Sequence, residues 1–278
     1  MDPILDLALP DLDVRRDGED ARVLVVRLDD PGRRNAMGEQ MTASWCRLVD
    51  GLRATVEGGP GEVRAVVVTG AGSAFSAGGD LSWLGDGSGA GASVEALRDR
   101  MARYYEDWLG LRGVGVPVVA AVNGAAVGAG LGLALACDVR LVGASARLSA
   151  PFTALGLHPG MGTTRTLAEA VGPAAARELL LTGRTVGAEE AVRFGLATAA
   201  YPDDRLLGEA TALARTLATR APVATRLLLR GLADGGPRDL AEAVAQEAAA
   251  QATTLATADL TEGLAAARER RAPRFTGR

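Results

Sequence analysis

The stretch VNGAAVGAGLGLALACD (residues 122–138) consists almost entirely of glycine and aliphatic residues, and it continues the apolar run VGVPVVAAV. Its other side chains are one Asn, one Cys and a terminal Asp. An apolar run that ends in such a segment predicts a buried strand followed by a helix. Two interpretations of its glycines stay open: close packing of the helix on a strand, or a backbone that contacts a ligand directly.

A helix that begins within VGAG (127–130) would present unpaired N–H groups. The first N–H groups of a helix have no acceptor within it, and the helix dipole favours negative charge at this end. A second glycine-rich loop, SAGGDL (76–81), follows an earlier strand pattern. Two such amides directed at one point would form an oxyanion hole, which stabilises negative charge on an oxygen atom.

Segments on the N-terminal side alternate between strand and helix patterns. The apolar runs at 21–30 and 63–70 predict buried strands. The segments 39–57 and 94–112 carry apolar residues at helical spacing. This alternation predicts an α/β fold in which helices cover a mostly parallel sheet.

Other parts of the chain have different patterns. Residues 1–20 are predicted to form a loose acidic lead-in, and GDGSGAGAS (85–93) a flexible insert. After about residue 200 only helical periodicity is present. We therefore predict a core over residues 1–200 and a C-terminal helical region over 201–278, which packs on the main domain or on another subunit.

Composition argues against several classes of protein. The 278 residues are 48% apolar and 23% charged, with a formal net charge of −4 and no long basic block, which disfavours nucleic acid as a partner. No window approaches the roughly 18 apolar residues of a membrane span. The acidic N-terminal residues do not resemble a signal peptide.

Cys46 and Cys137 have no metal or redox spacing, and His158 is the single histidine, so we expect no metal site and a cytoplasmic location.

Motifs of other ligand-binding and enzyme classes are incomplete or missing. Gly128, Gly130 and Gly132 form G-x-G-x-G, which is not the dinucleotide fingerprint. The segment AFSAG has Ala where a nucleophile elbow requires its first Gly, although a Ser76–His158 hydrolase stays conceivable. No P-loop is present.

Several motifs together resemble the enoyl-CoA hydratase/isomerase, or crotonase, family. They are AFSAGGDL (74–81), VPVVAAVNGAAVGAGLGLALACDVRLVGASARLSAP (116–151), LGLHPGMGTTRTLAEAVG (155–172) and LLLTGRTVGAEEAVRFGLA (179–197). PGRRNAM (31–37) is similar to the loop at which the family binds coenzyme A (CoA). The resemblance covers roughly residues 20 to 200, with the motifs in the family's order.

The resemblance implies a spiral of β-β-α repeats that forms two nearly perpendicular sheets. It also implies C-terminal helices that build homotrimers, often paired into homohexamers. The expected ligand is an acyl-CoA substrate, with no cofactor beyond the coenzyme A that is part of that substrate.

The resemblance also implies particular site residues. The thioester carbonyl oxygen would lie between the backbone amides of Gly79 and Ala129. The adenine and pantetheine of CoA would lie along five residues: Arg34, Ala36, Ala77, Asp80 and Leu81. Arg34 is chemically suited to a phosphate because a guanidinium donates several hydrogen bonds to such an anion.

The sequence departs from the family's hydratases at both of their glutamates. The resemblance places Gly132 and Phe152 at these two positions. Water addition needs a proton-transferring group within hydrogen-bond reach, and neither residue can serve. Efficient hydration is therefore not expected.

Other titratable side chains lie near the family motifs. His158, just before the Pro-Gly turn, is a candidate for proton transfer because imidazole suits that task near neutral pH. We expect Asp80 to cap a helix, Asp138 to lie between a helix and a strand, and Glu169 and Glu178 to be solvated on helices.

Three functions stay open from the sequence. The first is an acyl-CoA lyase, isomerase or hydrolase that works through a stabilised enolate. The second is a CoA-binding protein without catalytic turnover. The third is a structural subunit of a larger complex.

Overall fold

The strands form two sheets in the computed structural model, which describes residues 2–56, 62–89, 91–233, 236 and 239–278. The larger sheet contains, in spatial order, β1 (Leu12–Arg16), β2 (Val23–Leu28), β3 (Ala65–Gly70), β5 (Val118–Val122), β7 (Val139–Gly143) and β10 (Ala199–Tyr201). The smaller sheet contains β4 (Ala74–Ser76), β6 (Ala125–Val127), β8 (Arg147–Ser149) and β9 (Val186–Gly187). Neighbouring strands are parallel, except in the antiparallel pairs β1–β2 and β8–β9.

Helices follow the strands in a repeating order. Their bounds are α1 (Glu39–Val56), α2 (Leu81–Gly85), α3 (Val94–Leu109), α4 (Ala129–Ala136), α5 (Thr163–Thr182), α6 (Ala188–Arg193), α7 (Asp203–Ala218), α8 (Pro222–Leu232), α9 (Leu240–Leu255) and α10 (Ala258–Glu269). A strand of the large sheet, a strand of the small sheet and a helix follow one another in β3-β4-α2, β5-β6-α4 and β7-β8-α5. The predicted α/β class and its β-β-α repeats are confirmed.

The central strands β3 and β5 are buried along their whole length. Alternate residues of β3 point to two separate apolar clusters, Val66 and Val68 to one and Ala65 and Val67 to the other. This alternation follows from the two-residue period of a strand. The first cluster also holds Trp45, whose ring stacks on a second indole at a centroid distance of 4.8 Å. Both faces of the large sheet are therefore part of the core.

Helix α7 covers one face of the large sheet within the same chain. Its buried residues Leu206, Ala210, Ala214 and Ala218 recur at helical spacing and pack in the second cluster. By contrast, α8 and α9 have no fully buried side chain among the described residues. The division of the chain at residue 200, and a role in subunit packing for residues 201–278, stay predictions.

The loose lead-in predicted for residues 1–20 is wrong. Strand β1 pairs with β2 in antiparallel register, with Leu12 opposite Leu28. Arg16 at the end of β1 forms an ion pair with Asp2, with 2.7 Å between Nε and Oδ2. This edge strand carries many charged residues, which is common at sheet edges and hides the strand pattern in the sequence.

Two other expectations extend to residues that the structure does not describe. The helix predicted over 39–57 is present as α1, and residue 57 lies outside the described residues. The insert predicted over 85–93 includes residue 90, which also lies outside them. Within that segment, Ser93 caps α3, because its hydroxyl accepts a hydrogen bond from the Ala96 N–H at 3.3 Å.

Candidate active site

The loop after β4 approaches the start of α4 very closely. Gly78 has a left-handed backbone, with φ of +91°. A Cβ atom at this position would overlap the carbonyl oxygen of Val127 and would lie 3.1 Å from the Ala129 nitrogen. Only glycine satisfies both constraints. The close approach places Gly79, the next residue, beside the N-terminus of α4.

The backbone amides of Gly79 and Ala129 are both available to a ligand. Ala129 is the first residue of α4, and Gly128 before it supplies no side-chain cap. Neither N–H donates to an acceptor within the described part of the chain. Unpaired amides from two segments, one of them at the positive end of a helix dipole, are suited to an oxygen that gains negative charge.

Asn35 fixes the position of this loop, and the sequence interpretation missed it. It is fully buried, and its side-chain amide donates hydrogen bonds to the carbonyl oxygens of Ala71 (2.9 Å) and Ala74 (2.8 Å). In turn, the Ser76 hydroxyl donates to the Asn35 carbonyl at 2.8 Å and accepts from the Gly78 N–H at 3.1 Å. The rarity of Asn in this chain was the available signal, since only one other is present.

The space beside Gly132 is filled by Met161. A Cβ atom at Gly132 would overlap the Met161 Cβ and would lie 3.2 Å from its Cγ. Met161 is fully buried, and its backbone is left-handed, with φ of 57°. Any side chain at position 132, a carboxylate included, therefore requires Met161 to move. The sequence interpretation did not single out Met161, because it is distant from Gly132 along the chain.

Phe152 is the second residue that the sequence analysis singled out beside Gly132, and it presents an aromatic surface. It lies between Pro151 and a short 3₁₀ turn at Thr153–Leu155. Its ring atoms lie 3.7 Å from the position of a Cβ at Gly128. The wall next to the start of α4 is thus apolar at the two positions where family hydratases would carry glutamates.

His158 lies on the exposed turn that leads to Met161. Its Nδ1 atom is 2.8 Å from the Pro159 carbonyl oxygen. No hydrogen bond to Gly79 or Ala129 is present among the described residues. Its part in proton transfer stays a prediction.

The residues predicted to contact CoA lie on two adjoining loops. The Ala77 N–H donates to the Arg34 carbonyl at 2.9 Å, which joins the loop that contains Ala36 to the loop that leads to α2. Arg34 is exposed, and its guanidinium has no partner among the described residues. Leu81 is 66% exposed at the start of α2. The structure brings these residues together on one surface, and CoA contact stays a prediction.

Asp80 caps α2, as predicted. Its carboxylate accepts hydrogen bonds from the Ser82 N–H at 2.9 Å and the Trp83 N–H at 3.5 Å. The Ser82 hydroxyl and these amides, with the guanidinium of Arg33 at 3.3 Å, lower the pKa of Asp80 below its usual value. Asp80 is therefore a poor candidate for carrying a proton near neutral pH.

The remaining carboxylates have structural partners. Asp138 lies between α4 and β7 and accepts a hydrogen bond from the Val118 N–H at 2.7 Å, and its burial raises its pKa. Glu169 forms an ion pair with Arg165 on α5 at 2.7 Å, and Glu178 forms one with Arg184, just after α5, at 2.8 Å. These contacts are structural.

None of the described helices combines the length and the apolar character needed to span a bilayer. In the same part of the chain, no group of three or more His, Cys, Asp or Glu side chains is arranged to hold a metal ion.

The sequence and the fold both match known proteins. A sequence model of the enoyl-CoA hydratase/isomerase family matches residues 18–278. The Mycobacterium tuberculosis protein named "Probable enoyl-CoA hydratase EchA14" is 42% identical over 257 residues, which cover 90% of this chain and 96% of the relative. The crystal structure of enoyl-CoA hydratase from Bacillus anthracis has a TM-score of 0.86 at 30% identity, covering 96% of this chain and 100% of that one.

A further similar protein was solved with coenzyme A bound. The crystal structure of a Thermobifida fusca protein in complex with CoA is similar to this chain, with a TM-score of 0.78 and 36% identity. The alignment covers 91% of this chain and 96% of that one. The family match spans nearly the whole sequence, and the fold agrees with it. This chain therefore belongs to the enoyl-CoA hydratase/isomerase family.

Proposed function

We propose that the protein binds an acyl-CoA thioester and stabilises its enolate between the backbone amides of Gly79 and Ala129. One observation carries this proposal, namely the contact of Gly78 with the β6–α4 junction, which places two unpaired amides side by side. An enolate carries negative charge on the thioester oxygen, and fixed N–H donors stabilise that charge without having to reorganise. The reaction that follows would be an isomerase, lyase or hydrolase reaction.

Arg34 is proposed to bind a phosphate of CoA. Arg33, its neighbour, already forms ion pairs with Asp30 and Asp80, at 2.6 and 3.3 Å, whereas Arg34 has no partner among the described residues. The similar Thermobifida fusca protein was crystallised in complex with CoA, which supports a CoA site in this chain as well.

Calorimetry of CoA binding tests this part of the proposal. We expect Arg34→Ala to weaken binding about threefold to tenfold, and salt to weaken wild-type binding because it screens the phosphates. Arg98→Ala is the matched control, because Arg98 is exposed and, among the described residues, pairs only with its neighbour Asp99. Equal affinity for wild type and Arg34→Ala would remove Arg34 from the site.

Proton transfer is proposed to use His158 rather than a glutamate. Gly132 and Phe152 supply no proton-transferring group, and loss of a general acid or base costs roughly a hundredfold to ten-thousandfold in rate. We therefore expect slow or absent hydration of crotonyl-CoA. Exchange of the α-protons of butyryl-CoA into deuterated water should nevertheless occur, because it needs only an enolate and one base. His158→Gln should slow this exchange.

Ala129→Pro tests the oxyanion hole directly. Proline is well tolerated at the first position of a helix, yet it removes the N–H at issue. We expect the α-proton exchange rate to fall about a hundredfold or more, with little change in CoA affinity. Ala258→Pro is the matched control, since Ala258 is exposed at the first position of α10. Unchanged exchange in Ala129→Pro would refute the assignment.

A second candidate is a CoA-binding protein without turnover. The apolar contacts of Met161 with Gly132, and of Phe152 with Gly128, favour it, because they leave no carboxylate at either hydratase position. CoA binding in calorimetry without any α-proton exchange would support this alternative over an enzyme.

The C-terminal helices are proposed to form contacts between subunits of a homotrimer or homohexamer. Exposed apolar side chains on α8, α9 and α10 support this: Leu228, Leu232, Leu240, Val244, Leu255 and Leu264. Light scattering at micromolar concentration should give the mass of three or six chains, and a monomer would contradict the proposal.

A further inference from the structure

Helix α3 carries two consecutive tyrosines toward the candidate site. The buried Tyr104 hydroxyl donates to the Met37 carbonyl at 3.0 Å, and it lies 3.7 Å from the position of a Cβ at Gly79. The rings of Tyr104 and Tyr105 meet edge to face, with centroids 6.0 Å apart. Tyr105 is therefore next to a residue that contacts the Gly79 loop.

The Tyr105 hydroxyl lies against Gly160. A Cβ atom at Gly160 would overlap this hydroxyl oxygen and would lie 2.8 Å from the ring carbon that bears it. Gly160 directly precedes Met161, the residue that fills the space beside Gly132. The hydroxyl thus lies beside the turn that places Met161 next to Gly132.

The Tyr105 hydroxyl has no hydrogen-bond partner within the described residues, unlike that of Tyr104. Tyr105 is half-buried, and this burial raises its pKa, so the hydroxyl keeps its proton near neutral pH. Gly132 and Phe152 provide no side-chain hydrogen-bonding group, and the nearby Thr163 hydroxyl already donates to the Gly160 carbonyl at 2.8 Å. The Tyr105 phenol is therefore a neutral donor that has no acceptor among the described residues.

We propose that Tyr105 selects acyl-CoA thioesters whose acyl chain carries an oxygen, such as a hydroxyl or keto group, by donating a hydrogen bond to that oxygen. The assignment rests on the proposed function. A bound acyl chain would displace water from the hydroxyl, and a purely aliphatic chain would leave the donor unpaired. One neutral hydrogen bond should favour the oxygen-bearing chain by about threefold to tenfold in affinity.

Calorimetry with matched ligands tests the assignment. Butyryl-CoA is compared with 3-hydroxybutyryl-CoA and 4-hydroxybutyryl-CoA, because the two hydroxyl positions sample different depths along the chain. We expect wild type to bind one hydroxylated ligand about threefold to tenfold more tightly than butyryl-CoA. In Tyr105→Phe, the ratio of the two dissociation constants should fall to about one. Tyr201→Phe, on β10, is the control that keeps the wild-type ratio.

A second variant protects the test against a folding defect in Tyr105→Phe. Gly160→Ala keeps Tyr105 but pushes its hydroxyl away, so it should also abolish the preference. The same preference in wild type and in both variants would overturn the assignment, and so would a wild type that binds all three ligands equally. Failure of wild type to bind any of the three ligands would overturn the proposed function, and this assignment with it.

Discussion

Two regions of the candidate site use glycine for opposite reasons. In the amide region, formed by Gly78, Gly79 and Ala129, glycine lets two backbone segments meet and leaves their N–H groups unpaired. In the apolar region, formed by Gly132, Phe152 and Met161, glycine makes room for the side chain of another residue. The first region therefore presents backbone N–H groups that are unpaired among the described residues, whereas in the second region the side chain of Met161 fills the space beside Gly132.

The difference has an energetic consequence. At Gly78 the obstacle is backbone, namely the carbonyl of Val127, which cannot move without disturbing β6. At Gly132 the obstacle is the side chain of Met161, which a single substitution removes. Position 78 should thus tolerate no side chain, whereas position 132 should tolerate one once Met161 is replaced by glycine.

The largest effect is expected for Gly78→Ala. The left-handed backbone and the overlap with the Val127 carbonyl should together lower the free energy of unfolding by about 3 kcal/mol or more. Urea unfolding measures it. Gly87→Ala is the matched control, because Gly87 is also left-handed, with φ of +68°, but has no neighbour within 4 Å. The control should cost only about 1 kcal/mol. Equal losses of unfolding free energy in Gly78→Ala and Gly87→Ala would contradict this prediction.

The second prediction concerns a gain of hydration. Gly132→Glu with Phe152→Glu alone should hydrate crotonyl-CoA poorly, because Met161 blocks the new side chain. Adding Met161→Gly should raise the hydration rate at least about a hundredfold over that double variant, since it opens the space for a general acid or base. The decrease in enoyl thioester absorbance measures this. No gain in the folded triple variant would show that more than packing closes the apolar region.

The third prediction isolates the coupling between Gly132 and Met161. Gly132→Ala and Met161→Gly should each destabilise the protein, the first by overlap and the second by a cavity. The double variant should be more stable than the sum of the two losses predicts, by about 1–2 kcal/mol. A double-mutant cycle from urea unfolding gives this number, and additive losses would disprove the coupling.

The smallest effect should come from the cap beside the amide region. Asp80→Ala should cost about 1 kcal/mol near neutral pH by removing the cap of α2. The folded-state pKa of Asp80 is lowered, so its contribution is present above the usual pKa of the carboxyl, about 4, and is lost as the pH falls through the lowered value.

Urea unfolding at several pH values tests this last prediction. The difference between wild type and Asp80→Ala should be constant from pH 7 to pH 5 and shrink below about pH 4. Asp99→Ala is the control, since Asp99 is exposed and its ion pair within the described part of the chain is with Arg98. A stability difference between wild type and Asp80→Ala that grows at low pH would contradict the prediction.

Much of the fold could be predicted from local patterns. The strand at 63–70 and the helix at 39–57 follow from an apolar run and a helical period, and both are present in the structure with small changes of bounds. Strand β1 could not be predicted in this way. Its pairing with β2, rather than its own charged sequence, makes it a strand.

Some residues of the candidate site could likewise be predicted from local sequence, and others could not. Gly79, Ala129 and Asp80 belong to short contiguous motifs, so the sequence alone indicated them. Met161 lies in such a motif and Tyr105 does not, but the sequence indicated neither contact, because Gly132 and Gly160, the residues that they meet, are distant from them along the chain.

The sequence by itself determined the family and the β-β-α order, because these depend on which residues occur and in what order. Only the tertiary structure decided that Met161 occupies the space at Gly132, and that the Tyr105 hydroxyl lies beside Gly160 without a hydrogen-bond partner among the described residues. The physical reason is that packing is set by distances between side chains from separate segments. A linear pattern with a period of two or 3.6 residues carries no information about such distances.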